Sequence, residues 1–257
     1  MSSALLKVQG LVKRFGGITA VDHVDLQVDK GQIHGLIGPN GAGKTSLFNL
    51  LTGLYPADAG QFMFNGKPFK PTSPHKIATL GLARTFQNIR LFKSLTVWEN
   101  VAVGMHPKTR QGVLGAVLRW PAQRHEEQSI REKSLALLRY VGIEQQAMQM
   151  AGNLPYGDQR RLEIARALAC EPALLALDEP AAGMNGSEKQ TLRELLATIR
   201  TDGTSLLLIE HDVKLVMGLC DQVTVLDYGK VIAKGTPAQV QQSPAVIEAY
   251  LGGMHHE

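Results

Sequence analysis

"GPNGAGKT", Gly38 to Thr45, decides how the rest of this 257-residue chain is read. It follows "QIHGLI", which reads as a buried strand, and precedes a helix-like stretch that runs to Leu54. Strand, glycine-rich turn and helix in that order are what a phosphate-binding loop needs. Glycines at 38, 41 and 43 let the backbone curl, so that successive N–H groups and the helix N-terminus face one anion. Lys44 is then expected to reach the β- and γ-phosphates, and Thr45 to hold Mg²⁺ through its hydroxyl. The predicted nucleotide cradle is Gly38, Pro39, Asn40, Gly41, Ala42, Gly43, Lys44, Thr45 and Ser46.

Working outward, "LLALDEP", Leu174 to Pro180, delivers two adjacent carboxylates at the end of a second buried strand, where α/β sheets bind ligands. Asp178 is expected to bind Mg²⁺ through water. Glu179, on the other side of the pleat, is the expected general base that polarises the attacking water. Alone, Asp-Glu after an apolar strand is as often structural; beside a full phosphate loop it reads as catalytic. "LLLIEHD" ends the next strand with Glu210, His211 and Asp212, which puts His211 within reach of a γ-phosphate. Gln87, in "TFQNIRLF", opens the middle region, where its amide could sense Mg²⁺ or the attacking water.

Composition sets the limits. Hydrophobic residues make up 44% and charged residues 19%, as in a globular chain, and a net charge of +4 selects no partner class. Cys170 and Cys220 lack metal or redox spacing, and no apolar leader opens the chain, which favours a reducing cytoplasm. The strongest apolar runs, Ala173 to Leu177 and Leu206 to Ile209, are too short to cross a bilayer, so a membrane role would come through a partner.

Val24, Leu26 and Val28 alternate with polar residues as in a half-exposed antiparallel strand. "GQFMFNGK" predicts a strand that reverses at Asn65-Gly66. From Asn88 to Asn153 strand-like runs vanish, and Ile130, Leu135, Leu138 and Val141 fall at helical spacing. The runs at 173–177 and 205–209, with a helix-like segment between them, give a parallel βαβ pattern.

Taken in order, Phe15, the phosphate loop, Gln87, "LPYGDQRR", "LALDEP" and "EHD" resemble the nucleotide-binding domain of ABC transporters along essentially the whole chain. The "YGDQRRLEIARAL" stretch, "DEPAAG", the C-terminal "EHDVKLVMGLCDQVTVLDYGKVIAKGTPAQV" with "SPAVIEAYLG", and "HPKTRQGVLGAVLRWPAQRHEEQ" are similar to ATP-binding subunits of branched-chain amino acid importers.

The resemblance implies an α/β fold: a P-loop ATPase core with a mixed sheet (1–87 and 157–257), an N-terminal antiparallel β subdomain and an inserted α-helical subdomain (88–156). It implies that Phe15 stacks on adenine, that Gln87 is the Q-loop residue and a further Mg²⁺ contact, that His211 is the switch histidine, and that Leu154 to Asp158 is the signature. Through Gly157, that signature would cap the γ-phosphate of ATP held by a partner chain. Partners would be a second ATPase subunit, two integral membrane permease subunits and, indirectly, a periplasmic solute-binding protein, with no nucleic acid. The place would be the cytoplasmic face of the inner membrane, and one chain alone would hydrolyse ATP poorly.

The sequence also departs from the family pattern. Pro155 stands where the signature serine is usual, Asp158 where glutamine is usual, and Asn185 where the D-loop aspartate is usual. Proline offers neither hydroxyl nor N–H, and a carboxylate at 158 would repel phosphate unless it turns away to cap the helix. These changes predict a weaker ATP site where this signature contributes, and favour a related ATPase partner over a second copy. Cargo is not written in the chain: related importers of urea or amides, and a lipopolysaccharide exporter, use similar ATPases. A soluble ABC ATPase usually carries two ATPase halves or a long coiled-coil insertion, and a module without turnover would not keep Lys44, Asp178, Glu179 and His211.

Overall fold

A computed structural model of the chain describes residues 4–105 and 121–252. Residues 106–120, which carry part of the importer-like stretch, lie outside the described residues. By packing, the chain divides into two compact units, residues 1–84 with 173–257, and residues 85–172.

The first unit holds two sheets. Strands β1 (Ala4–Phe15), β2 (Ile18–Asp29), β4 (Ala59–Phe64) and β5 (Lys67–Phe69) form an antiparallel sheet in the order β2-β1-β4-β5. The expected alternation holds in β2, where Val24, Leu26 and Val28 are buried. Asn65 and Gly66 both take positive φ, 49° and 74°, between β4 and β5, as a tight hairpin reversal requires.

The other sheet runs β10 (Lys230–Gly235), β9 (Gln222–Asp227), β3 (Ile33–Ile37), β8 (Ser205–Ile209), β7 (Leu174–Asp178), β6 (Leu82–Arg84). Its pairings are parallel except β10 with β9, so it is a mixed sheet. Every residue of β3, β7 and β8 is buried, the mark of parallel strands covered on both faces. Helix α1 (Lys44–Leu51) buries Leu47, Phe48, Leu50 and Leu51 in a core shared with Leu36, Ala176, Leu207 and the inner faces of β1 and β2.

In the second unit, helices α3 (Val97–Met105) and α4 (Pro121–Tyr140) accompany α5 (Tyr156–Leu168); the short helix α2 (Pro74–Thr79) belongs to the first unit. A side chain at Gly104 would lie 2.2 Å from Arg166 O, so α3 and α5 meet backbone to backbone. Asn100, fully buried, donates to Phe92 O (3.0 Å) and Thr96 O (2.9 Å) and accepts from Phe92 N (3.0 Å), fixing the bend ahead of α3. No described helix is long and apolar enough to cross a membrane.

Candidate functional site

Register gathers the chemistry of the first unit at one sheet edge. Leu36 on β3 and Asp178 on β7 are both in register with Ile209 on β8. The three strands therefore end at one level, and from that edge emerge the Gly38 loop, the Asp178-Glu179 pair and Glu210-His211.

Gly38 and Gly43 are required by neighbours as well as by backbone angle. A Cβ at Gly38 would stand 2.1 Å from Leu226 O, and one at Gly43 2.3 Å from Ala20 O. Gly41 and Gly43 take φ of 78° and 97°. The loop is tied further by Gly229 N donating to Ala42 O (3.0 Å) and by Asp22 N donating to Gly229 O (2.8 Å). Lys44, 5% exposed, folds back to donate to Gly38 O (2.7 Å) and Pro39 O (2.8 Å). Burial lowers its pKa, against an opposing pull from Glu179. A cationic amine in a backbone cradle with no room for a Cβ at Gly38 or Gly43 is matched to an anionic group such as phosphate. Thr45 hydroxyl and Asp178 carboxylate are hard oxygen donors of the kind Mg²⁺ takes.

Glu179 sits in the left-handed region at φ 47°, which ends β7 and turns the chain, while its N–H donates to Ile209 O (2.9 Å). His211 Nε2 lies 2.5 Å from Glu179 Oε1. Glu210, buried, accepts from Ala181 N (2.8 Å) and His211 N (3.2 Å). Burial raises the Glu210 pKa, and those two N–H groups pull it back. Asp212 caps α7 (Val213–Leu219) and pairs with Lys189 at 2.6 Å. Phe15 is 43% exposed, with Tyr55 edge-on at 5.5 Å and Lys13 Nζ 5.4 Å from its ring centre.

Sequence reasoning missed Arg84. At the end of β6 it donates to Thr52 Oγ1 (2.6 Å) and Asn49 Oδ1 (3.1 Å), stacks 4.6 Å from the Phe48 ring centre and lies 3.8 Å from Asp178 Oδ2. A single arginine just after an apolar pair gives no sequence signal for that.

Gln87 and Gly157 belong to the second unit. Helix α5 starts at Tyr156: Pro155 at φ −55° and ψ 153° serves as N-cap and its carbonyl accepts from Gln159 N at 3.0 Å. Gly157 and Asp158 thus lie in the first turn, whose N–H groups have no intrahelical acceptor. The capping role expected of Asp158 is corrected: Pro155 is the cap residue and no side chain caps the helix. Asp158 does turn away from the helix mouth, but to pair with Arg161 and to accept from Gln146 Nε2 at 3.2 Å. Asn185 caps α6 (Gly186–Thr201) in a reciprocal box with Glu188. Leu162, Ala165 and Leu168 lie on the buried face of α5, and Arg160 is fully buried too.

The family description "ABC transporter" matches residues 21–182, and "Branched-chain amino acid ATP-binding cassette transporter" matches residues 230–256. The chain is 45% identical to the high-affinity branched-chain amino acid transport ATP-binding protein LivG of Escherichia coli, over 98% of this chain and 99% of that one. It is likewise 45% identical to BraF of Pseudomonas aeruginosa, a protein of the same description, with the same coverage. Among solved structures it superposes on the ADP conformation of MJ1267, an ATP-binding cassette of an ABC transporter, with a TM-score of 0.85 at 31% identity, covering 98% of this chain and all of that one.

Proposed function

The chain belongs to the ABC transporter ATP-binding family, and on that footing we propose that it is the ATP-hydrolysing subunit of an importer of branched-chain amino acids. It is an ATP hydrolase of the α/β P-loop class. The cargo follows from the C-terminal family match and from the descriptions carried by relatives such as LivG and BraF.

One observation supports the hydrolytic reading above the rest: Lys44, Glu179 and His211 meet at one sheet edge, with Glu179 and His211 2.5 Å apart. In this reading the backbone N–H groups of residues 38–46 and the Lys44 amine hold the phosphates. Phe15 supports the adenine, with Tyr55 against its edge. Glu179 takes a proton from water as the water oxygen attacks the γ-phosphorus and the bond to the bridging oxygen breaks, giving ADP and phosphate. His211 holds the Glu179 carboxylate in place within reach of the γ-phosphate, and Gln87 senses Mg²⁺ or the attacking water. Thr45 and Asp178, with Gln87, would hold Mg²⁺, which when bound neutralises charge on the phosphates.

The signature turn around Gly157 would complete the ATP site of a second ATPase subunit, with a related subunit favoured over a second copy. Membrane permease partners follow from membership of a transporter family, and the described helices contain none able to span the bilayer. The chain would sit at the cytoplasmic face of the membrane as one ABC ATPase domain with an inserted helical subdomain.

The test is Mg-ATPase activity of the chain alone and reconstituted with a neighbouring ATPase and membrane subunits, with and without leucine-loaded binding protein. Low activity alone that rises with the loaded binding protein is expected. High activity indifferent to every partner would reject the importer reading.

A further inference from the structure

The helical unit contains a buried ion pair that the phosphate loop and the sheet-edge carboxylates do not need. Arg160 and Glu163, 0% and 1% exposed, are one turn apart on α5. Arg160 Nη1 donates to Glu163 Oε2 (2.9 Å) and Phe86 O (2.7 Å); Nη2 donates to Gln87 O (2.9 Å) and Tyr156 Oη (3.3 Å). Glu163 Oε1 accepts from Phe86 N (3.2 Å) and Arg90 N (3.5 Å), with Arg166 at 4.0 Å.

Two side chains from one helix thus hold the segment Phe86 to Arg90 by both its carbonyls and its N–H groups. As a source of stability such a pair is a poor choice, because desolvating two charges consumes much of their attraction and apolar residues of the same volume do as well. What the pair adds is geometry: a rigid planar fork reaches Phe86 O and the Glu163 carboxylate from one nitrogen and Gln87 O from the other, a spread that the single nitrogen of a lysine does not reproduce.

We propose that Arg160, oriented by Glu163, is the positioning residue for Gln87, so that the Q-loop backbone and the signature helix form one body. Gln87 is then set by the same helix whose first turn carries Gly157. A displacement of α5 against a partner's nucleotide carries Gln87 with it, and the two ends of the helical unit report on one event. This rests on the role given to Gln87 above.

The test is a double-mutant cycle in the full chain assembled with its ATPase and membrane partners: Arg160→Lys, Gln87→Ala and both together, read as turnover and KM for Mg-ATP. Gln87→Ala leaves the backbone carbonyl and removes only the amide to be positioned. Each single change should lower turnover roughly tenfold, with KM within about twofold, and the double variant should match Gln87→Ala alone. Amide exchange at Phe86 and Arg90 should quicken in Arg160→Lys and stay slow in Gln87→Ala. Losses that multiply in the double variant, or an Arg160→Lys chain with normal turnover, overturn the proposal while leaving Gln87 its role. A Gln87→Ala chain with normal turnover removes that role and the proposal with it. Should Arg160→Lys fail to fold, Glu163→Gln enters the same cycle with the same criteria.

Discussion

Glu179 Oε1 and His211 Nε2 stand 2.5 Å apart, one just past the end of β7 and the other just past the end of β8. The contact fixes the orientation of the carboxylate proposed to take the proton of water. Glu179→Gln keeps the shape and removes the base. Its turnover is expected to fall by roughly 10²- to 10⁴-fold, with ATP affinity unchanged within a few-fold by equilibrium titration. A variant that turned over within about tenfold of the parent would take Glu179 out of the base role.

Arg84 ties the phosphate-loop helix to the end of β7 through Asn49, Thr52 and Asp178. Arg84→Met leaves the Asp178 carboxylate buried without that guanidinium. Stability should drop by about 3 kcal/mol, measured as a shift in denaturant midpoint, and Arg84→Lys should recover only part of it.

His34 is completely buried, donates or accepts through Nε2 with Thr224 Oγ1 at 2.9 Å, and its pKa is pushed down to about 4, chiefly by desolvation. The unfolded chain binds a proton at this residue below its ordinary pKa of about 6.5, and the folded chain does not until about pH 4. The contribution of neutral His34 is therefore complete above pH ~6.5 and lost as pH falls toward 4, up to ~3 kcal/mol in all. Glu163 and Glu210, whose pKa values burial raises, work in the opposite sense. Unfolding curves between pH 7.5 and 4.5 should show a shallower decline in His34→Gln than in the parent; equal slopes would exclude the residue.

Asp158 is paired with Arg161, which withdraws its charge from the mouth of α5. Arg161→Gln should release that charge and weaken ATP binding at the partner's site several-fold, while ATP held by this chain's own loop is bound as before. In the mixed complex, Glu179→Gln in this chain and the matching change in the other ATPase should cost unequal amounts of turnover, because Pro155 offers no hydroxyl to the site it faces. Equal losses would reject the asymmetry.

The sequence exposed the site where chemistry constrains residue type along a continuous stretch. Gly38 to Thr45, Asp178-Glu179 and His211 could be read because each follows an apolar run that must be a strand, and the same apolar runs gave the parallel βαβ pattern, while the Asn65-Gly66 pair gave the hairpin. Contacts between distant segments could not be read. Arg84 reaches Asn49 across 35 positions and Arg160 reaches Phe86 across 74, and nothing local distinguishes such arginines from solvated ones. A charged pair spaced by three inside the otherwise apolar face of Leu162, Ala165 and Leu168 was the one available hint of the buried clamp.

The wall around Gly38 and Gly43 is built from Leu226 O, Ala20 O and Gly229. A nascent chain emerging from the ribosome therefore presents the complete glycine motif, with Ala20 already made, long before Leu226 and Gly229 exist. The wall of the loop is complete only once the β9–β10 hairpin is in place. A chain truncated before residue 226 carries the motif in its sequence and lacks the pocket.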